Sequence, residues 1–359
     1  MKTISKRQLL FLISCTVFSP TVRLFSVFSG TDIRQEAMAA PLAAGLIVSV
    51  FLLTVLRGLA RTGQNYFQTL RTGFGKPLSS VVTVLYLIWG TLLLVLQLRY
   101  CSLRMASAAY AHIPAFVFAG IMVLLCIYAL RRGMDTVARI SEIALPVLFC
   151  VLVLLLILLS RNISPDRLLP QRDALGTLHA SLFVLASFGY VTFFLFFADE
   201  VTDAGRFASN AIKVMTAAAL IGVWLFACVI GTLGPFLTAK LPLPFFSAVR
   251  QIAVGEFIQH VDAFVVALWI VSDFILLCVL ASSMLKLLEG FSGKSRRKTW
   301  CVPYLLLCLA LLPLAGQKEN DAVRLSVYVF MPANLFFLFV VPLAVRITCA
   351  IREKHAARS

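Results

Sequence analysis

The chain has 359 residues, of which 60% are hydrophobic and only 13% are charged, and its mean hydropathy is +0.95. Soluble domains carry about 25% charged residues, so this composition excludes a soluble globular protein and indicates an integral membrane protein. The net charge of +16 comes from Lys and Arg scattered between apolar runs, which favours contact with the bilayer surface over nucleic acid binding.

Ten apolar segments predict ten membrane-spanning helices, because a bilayer core of about 30 Å takes roughly 20 helical residues. The first segment is interrupted by Arg23 and the eighth by Asp273. The basic N-terminus resembles a signal peptide, but no small-residue cleavage motif follows it directly, so we interpret it as an uncleaved first helix. The predicted helices lie at about 8–30, 37–57, 79–104, 112–131, 140–160, 177–199, 211–236, 262–287, 299–316 and 325–347.

Lys and Arg are unevenly divided between alternate connections. With the N-terminus inside, the cytoplasmic segments hold about twice as many of these residues as the outer segments. Because this bias sets membrane topology, the sequence predicts that both termini are cytoplasmic. The connection 240–261 begins with prolines and continues as a short amphipathic helix, which could cover the outer face.

The first and sixth predicted helices contain residues that interrupt helices. These residues are Ser19, Pro20 and Thr21 in the first helix and Ser187, Gly189 and Tyr190 in the sixth. They fit a transporter plan of two inverted five-helix repeats, in which the first helix of each half breaks near the midplane and exposes backbone groups to a small ligand. The alternatives are an ordinary proline kink in helix 1 and a packing glycine in helix 6.

The eighth helix presents one face to the interior of the bundle. The residues of this face, spaced by three or four positions, are Asp262, Val266, Trp269, Asp273, Leu276 and Leu280. Asp273 must turn away from lipid, so we interpret it as a ligand or proton site beside Leu276 and Leu280. The alternative is a buried structural ion pair or a protonated aspartic acid. Asp262, near the outer end, is expected to be a helix cap or interfacial residue.

Arg23, Trp89 and an acidic cluster are further candidates. Arg23 lies about 21 Å along an ideal helix from Leu9, and it could bind a ligand carboxylate, pair with Asp273 or snorkel to the outer surface. Trp89, near the middle of helix 3, could form a wall of the site or pack in the core. The cluster Asp199, Glu200 and Asp203 is expected to be solvated or paired with nearby Arg, with a gating ion pair as the alternative.

Signals for an enzyme or a metal site are poor. The four His residues are far apart, no HExxH motif occurs, and the nine Cys residues form no CxxC pair. GFGKPLS at 73–79 lacks the spacing of a phosphate-binding loop, and its glycines are expected to shape the turn into helix 3. The sequence therefore predicts a protein that is not an enzyme and that has no cofactor and no metal.

Several stretches, spread in order over almost the whole chain, resemble the B subunits of spore germinant receptors. These GerAB-type spore permeases belong to the amino acid–polyamine–organocation superfamily. The stretches are ISKRQLLFL, GFGKPLSSVV, YALRRGMDTVARISEIALPVLF, RLLP and GEFIQHVDAFVVALWIV. The resemblance implies a LeuT-like fold, residence in the spore inner membrane, and partnership with an A membrane subunit and a C lipoprotein subunit.

The resemblance also implies a small nutrient ligand such as an amino acid. We expect it to bind near the midplane between helices 1, 3, 6 and 8, where helix movement would signal germination. The alternative is a working amino acid or polyamine permease, which could be proton-coupled through Asp273.

Overall fold

The computed structural model describes residues 4–28, 35–60, 64–108, 112–168, 174–200, 204–241, 243–252, 262–293 and 297–356. The regular structure in these ranges is helical. The α-helices are α1 (Lys6–Phe28), α2 (Ala40–Phe51), α3 (Arg57–Ala60), α4 (Tyr66–Ala108), α5 (Ala115–Arg132), α6 (Met134–Ser160), α7 (Ala174–Phe188), α8 (Ala204–Leu233), α9 (Pro235–Lys240), α10 (Pro244–Val249), α11 (Asp262–Ser292), α12 (Arg297–Ala310), α13 (Glu319–Leu325), α14 (Met331–Leu335) and α15 (Val341–Ala356).

Short segments of other helix types join these α-helices. The 3₁₀-helices are Gln35–Met38, Pro165–Leu168, Gly189–Glu200 and Leu312–Ala315, and the π-helices are Leu52–Leu56, Ser326–Phe330 and Phe336–Val340. Runs of 3₁₀-helix longer than 3–4 residues are uncommon, and single π-turns occur frequently at functional sites. The 12-residue segment Gly189–Glu200 and the two π-turns near α14 are therefore among the irregular parts of the bundle.

Eight helices in the described ranges are long and apolar enough to cross a bilayer. These spans are Ala40–Leu59, Tyr66–Ser107, Ala115–Arg132, Met134–Ser160, Leu175–Glu200, Ser209–Leu233, Ala263–Ser292 and Asp321–Arg352. They correspond to predicted spans 2 to 8 and 10. The first predicted span corresponds to α1, and the ninth to α12 with the 3₁₀-helix that follows it. The total of ten spans remains a prediction.

The α4 helix, which contains the third predicted span, is divided by a glycine. Gly75 has a φ angle of +78°, which glycine adopts without steric cost, and it separates the segment that begins at Tyr66 from the long apolar part of α4. Pro77, which follows, suits the first turn of a helix because its missing N–H would be unpaired there in any case. The predicted start of helix 3 near residue 79 reflects this turn.

Helix 1 differs from the prediction of a break at 19–21. The α1 helix continues through Pro20, which lies inside it. Pro20 removes the backbone donor to the Thr16 carbonyl, and α1 loses one hydrogen bond there without ending. The contacts of α1 with α6, α7, α8 and α11 hold it in place, so the proline is accommodated within one helix.

The sixth predicted helix changes type where a break was expected. Its α-helical part ends at Phe188, and Gly189–Glu200 continues as a 3₁₀-helix whose residues are buried from Gly189 to Ala198. A Cβ atom on Gly189 would lie 2.6 Å from Cε2 of Phe339, so the missing side chain lets the last membrane helix approach closely. The α-helix of the sixth span thus ends at the predicted position, and the span continues beyond it as a more tightly wound 3₁₀-helix.

Four elements surround the centre of the bundle. The α11 helix packs along α4, and α1 contacts α11, α7 and the 3₁₀-helix Gly189–Glu200. These elements are the predicted helices 8, 3, 1 and 6. The described structure therefore brings together the helices expected around the ligand.

Replacement of Gly45 by Leu should destabilise the packing of α2 against α8, because a Cβ at position 45 would lie 2.7 Å from Cβ of Ala219. Overpacking of this kind costs about 1–3 kcal/mol, so we expect a lower melting temperature for the purified full-length protein. The control is Gly120→Leu, since nothing lies within 4 Å of a Cβ added there. Equal melting temperatures for the two variants would contradict the close approach of α2 and α8.

Candidate functional site

A buried ion pair joins three helices at the centre of the bundle. The Asp273 carboxylate on α11 accepts hydrogen bonds from Nη2 of Arg104 on α4 and from Oγ of Ser19 on α1. The exposed fractions of the Arg104 and Asp273 side chains are 2% and 4%. Because a charge inside a membrane protein is costly without a partner, this pair fixes α1, α4 and α11 relative to one another.

Arg104 keeps unused hydrogen-bonding capacity. Its Nε and Nη1 atoms are buried and have no partner among the described residues. The guanidinium lies over the ring of Trp269, with Cζ 5.3 Å from the ring centroid, and the buried indole Nε1 of Trp269 also lacks an acceptor there. Trp269 packs in turn against Phe246 of α10, with ring centroids 5.8 Å apart, so α10 covers this side of the pair.

A small cavity is lined by Pro20, the residue that follows Ser19 on α1, and by Gln97, which lies on α4 as Arg104 does. It leaves about 30 Å³ for the centres of water-sized molecules, which is room for about one or two waters. Its walls combine apolar side chains with several amides and hydroxyls. The lining residues are Pro20, Leu93, Leu96, Gln97, Phe183, Ala186, Ser187, Tyr190, Ser326, Phe330, Met331 and Asn334.

The polar groups of the cavity come from separate helices. Nε2 of Gln97 donates to the hydroxyl of Tyr190 at 2.6 Å, whereas Oε1 of Gln97 is buried and receives no hydrogen bond from the described residues. Nε1 of Trp89 donates to Oδ1 of Asn334 at 3.1 Å. The cavity therefore contains one buried acceptor whose donor is missing.

Aromatic side chains pack beside the cavity, toward the N-terminal end of α4. Trp89 stacks on Phe337 and Phe193, with centroid separations of 4.8 and 6.0 Å. Beyond it, the hydroxyls of Tyr66 and Tyr86 lie 2.9 Å apart, and Tyr86 donates to the Phe337 carbonyl at 2.5 Å. These hydroxyls are satisfied, so this aromatic layer is a packed barrier.

A second cluster of charges lies at the far end of the 3₁₀-helix. Nζ of Lys286, which is fully buried, lies 2.9 Å from Oδ1 of Asp199 and 2.7 Å from Oε1 of Glu200. Arg297 bonds to Glu200 at 3.2 Å and to Glu289 at 3.0 Å. We call these five residues the Lys286 cluster. The acidic cluster was predicted to pair with a nearby Arg, and Glu200 does so with Arg297. Lys286 pairs with both Asp199 and Glu200. Asp203 lies outside the described residues.

The structure brings several predicted site residues together. Pro20, Ser187 and Tyr190 line the cavity, and Trp89 bonds to its lining residue Asn334. Ser19 bonds to Asp273 beside the cavity.

Other predicted residues lie elsewhere. Thr21 lines a wider apolar crevice of about 330 Å³ between α1, α6 and α8. Gly189 packs against Phe339, and Leu276 and Leu280 are buried on α11 but are not among the residues that line the cavity. The side chains of Arg23 and Asp262 lie outside the described part of the chain. Of the roles considered for Asp273, the buried ion pair is present, and Arg104 takes part in it.

Sequence reasoning missed Arg104, Gln97 and Asn334 as site residues. Trp89, Gln97 and Arg104 follow one face of α4 at helical spacing, so this stripe was a usable signal. Asn334 is a neutral amide in the middle of an apolar helix, and a search for interrupting charges passes over it.

Two comparisons of sequence match the chain to proteins of known family. The family model for spore germination proteins (Spore_permease) matches residues 3–322. Spore germination protein XB of Bacillus anthracis is 22% identical over 302 residues, which are 82% of each chain. Spore germination protein KB of Bacillus subtilis (strain 168) is 22% identical over 343 residues, which are 92% of this chain and 91% of the relative.

Solved structures of other proteins share the fold. MhsT in complex with L-phenylalanine superimposes with a TM-score of 0.71 at 15% identity and covers 95% of this chain and 97% of its own. Mhp1, a nucleobase-cation-symport-1 family transporter, has a TM-score of 0.67 at 14% identity, with 93% and 76% covered. A Na⁺-coupled sialic acid symporter has a TM-score of 0.63 at 12% identity, with 93% and 79% covered. The predicted all-helical, LeuT-like membrane fold is confirmed.

Removal of one partner of the central ion pair should be more harmful than removal of both. Arg104→Gln and Asp273→Asn each leave a buried charge uncompensated, which costs about 3–5 kcal/mol, whereas the double variant leaves two neutral amides. We expect the melting temperature of each single variant to fall and that of the double variant to recover part of the loss.

Arg99→Gln is the matched control, because Arg99 lies on the same helix but bonds to the Gln317 carbonyl near the surface. A double variant that melts at the sum of the two single losses would show that the two charges do not depend on each other.

Proposed function

The chain belongs to the Spore_permease family of spore germination proteins, as its sequence motifs predicted, and we propose that it is the nutrient-binding membrane subunit of a germinant receptor. The family and the fold are those of membrane receptors and transporters, so the proposed role is binding and not catalysis. The proposed ligand is a small nutrient such as an amino acid.

The observation that carries the proposal is the buried, unpaired Oε1 of Gln97 in the cavity. A buried acceptor without a donor costs about 1–3 kcal/mol, so a water or a ligand is expected to supply the missing hydrogen bond. Asn334, Tyr190 and Ser187 add polar groups to the same walls, and Trp89 supplies an aromatic surface next to them. A few placed polar groups in an otherwise apolar cavity are typical of small-molecule sites.

The cavity must widen to admit a nutrient, because about 30 Å³ suits water and not an amino acid. The irregular helices provide a way to do so. Asn334 lies on α14 between two π-turns, and Tyr190 lies in the 3₁₀-helix that starts at Gly189. Such segments can change winding at small cost, because they already depart from the α-helical hydrogen-bond pattern.

The 3₁₀-helix also offers a route for the signal. It begins beside the cavity at Gly189 and ends at Glu200 in the Lys286 cluster. A 3₁₀-helix rises about 2.0 Å per residue and an α-helix 1.5 Å, so rewinding of its 12 residues would shorten it by about 6 Å. We infer that ligand binding at Tyr190 alters the contacts of Asp199 and Glu200 with Lys286.

The proposed setting follows from the family and from the distribution of Lys and Arg. We place both termini and the Lys286 cluster on the cytoplasmic side and the protein in the spore inner membrane. There it would act with an A membrane subunit and a C lipoprotein subunit.

A working amino acid or polyamine permease is the second candidate, and the similarity to solute symporters favours it. A receptor and a permease would both use the cavity, but only a permease carries the solute across the membrane. Measurement of solute uptake by the isolated chain therefore distinguishes the two functions.

Replacement of Gln97 by Met or of Asn334 by Leu should weaken the response to the germinant. A panel of amino acids, sugars and nucleosides, tested on spores with and without this gene, first identifies the germinant. Loss of one buried hydrogen bond costs about 1 kcal/mol, so we expect the concentration for half-maximal germination to rise about fivefold.

Tyr328→Phe is the control for these variants, because Tyr328 lies in the π-turn that precedes α14 but is exposed. The amount of receptor in the spore membrane should be the same for all variants. Unchanged germination in both cavity variants would rule out this cavity as the nutrient site.

The purified chain in liposomes should not accumulate the identified germinant, with or without a proton gradient, because a receptor does not need to release its ligand on the other side. Radiolabelled uptake measures this directly. Accumulation that depends on the gradient would favour the permease, and Asp273→Asn would then be the variant that tests the role of Asp273 in proton coupling.

A further inference from the structure

We infer that Arg104 and Trp269 form an anion subsite that binds the carboxylate of a zwitterionic ligand such as an amino acid. This inference rests on the proposed nutrient-binding function and gives it a chemical class and an anchor. The proposed subsite consists of the unpaired donors of Arg104 and Trp269. The cavity at Gln97 is the part of the ligand site proposed above.

The unpaired atoms are all donors. Nε and Nη1 of Arg104 and Nε1 of Trp269 are buried, and no acceptor meets them within the described ranges. Arginine and the indole N–H have no accepting capacity, so the missing group must be an acceptor. The only hydrogen bond described for the guanidinium is the one from Nη2 to Asp273, which leaves two of its three nitrogens available.

The charges around the site favour a zwitterion over a simple anion. Arg104 and Asp273 already neutralise each other. A free carboxylate would add an uncompensated negative charge to a region where the Asp273 side chain is only 4% exposed. An amino acid brings its own ammonium group, so the net charge of the site does not change.

The position of the subsite fits a ligand that reaches the cavity. Arg104 and Gln97 lie on one face of α4, and Ser19, which bonds to Asp273, immediately precedes the cavity residue Pro20. Gln97 keeps a free acceptor and Arg104 keeps free donors, so the two residues have opposite hydrogen-bonding character. A ligand with a donor and a carboxylate complements both.

A continuous first helix makes a side-chain anchor necessary. The N-terminus of a broken helix binds anions through its free N–H groups. Here α1 continues through residues 19–21, so the backbone there forms no such terminus. Among the described residues, the guanidinium of Arg104 is a buried charged donor beside α1, and its free Nε and Nη1 can hold a ligand carboxylate while Nη2 stays bonded to Asp273.

The test compares amino acids with their primary amides on the purified full-length protein. The probes are the twenty L-amino acids, the corresponding amides, glucose and inosine, and the readout is the ligand-induced rise in melting temperature. We expect at least one acid to bind, and its amide to need a concentration at least tenfold higher for the same rise, because the amide lacks the anion.

Trp269→Phe is the decisive variant, because it keeps an aromatic ring but removes the free N–H. It should weaken binding of the acid about threefold to tenfold and leave the weaker binding of the amide unchanged. Arg104→Lys keeps the charge beside Asp273 but loses the planar donors, so it should reduce the preference for the acid. Arg99→Lys, on the same helix, should change neither.

The possible results distinguish failure of the anion subsite from failure of the proposed nutrient-binding function. Equal binding of acid and amide, or binding of glucose or inosine alone, would overturn the subsite and leave nutrient binding intact. A preference for the acid that survives both Trp269→Phe and Arg104→Lys would also overturn it, since the anion would then bind elsewhere. If no probe raises the melting temperature, the proposed nutrient-binding function fails together with the subsite.

Discussion

The buried ion pair between Asp273 and Arg104 fixes the packing on which the rest of the site depends. Two charges of opposite sign can share the interior of a membrane protein only when they are in contact and their remaining atoms find partners. The pair therefore holds α4 against α11, and the bond from Ser19 adds α1. Pro20 and Gln97 reach the cavity because their neighbours on the same helices are held in this way.

Irregular helices are concentrated around the cavity, and this gives a physical basis for movement. The 3₁₀-helix Gly189–Glu200 contributes Tyr190, and the two π-turns around α14 flank Asn334. All three segments keep their backbone groups within helical hydrogen bonding, as the bilayer requires, but in patterns that can convert to the α-helix. The central pair is rigid by comparison, so a ligand is expected to move the sixth and last helices relative to α4 and α11.

The membrane class and most of the helix positions could be predicted from the sequence, because apolar length is a local property. The inward position of Asp273 also followed from one helix alone, since a charge must avoid lipid. Its partner did not, because Arg104 lies 169 residues away and near the end of an apolar run, where an arginine usually indicates a helix end. Pro20 predicted a break, but the helices packed around α1 hold it as one helix, and the neutral amides Gln97 and Asn334 carry no charge signal.

Two buried groups of charges hold the helices together by interactions of the same kind. Arg104 and Asp273 are paired beside Trp269, which packs on Phe246, and farther along α11 Lys286 is buried between two carboxylates. Moving the helices apart at either group would separate buried charges, at a cost of several kcal/mol for each pair. A movement that leaves Arg104 in contact with Asp273 avoids this cost at the central pair. The buried charges therefore favour displacement of the irregular sixth and last helices over separation of α4 from α11.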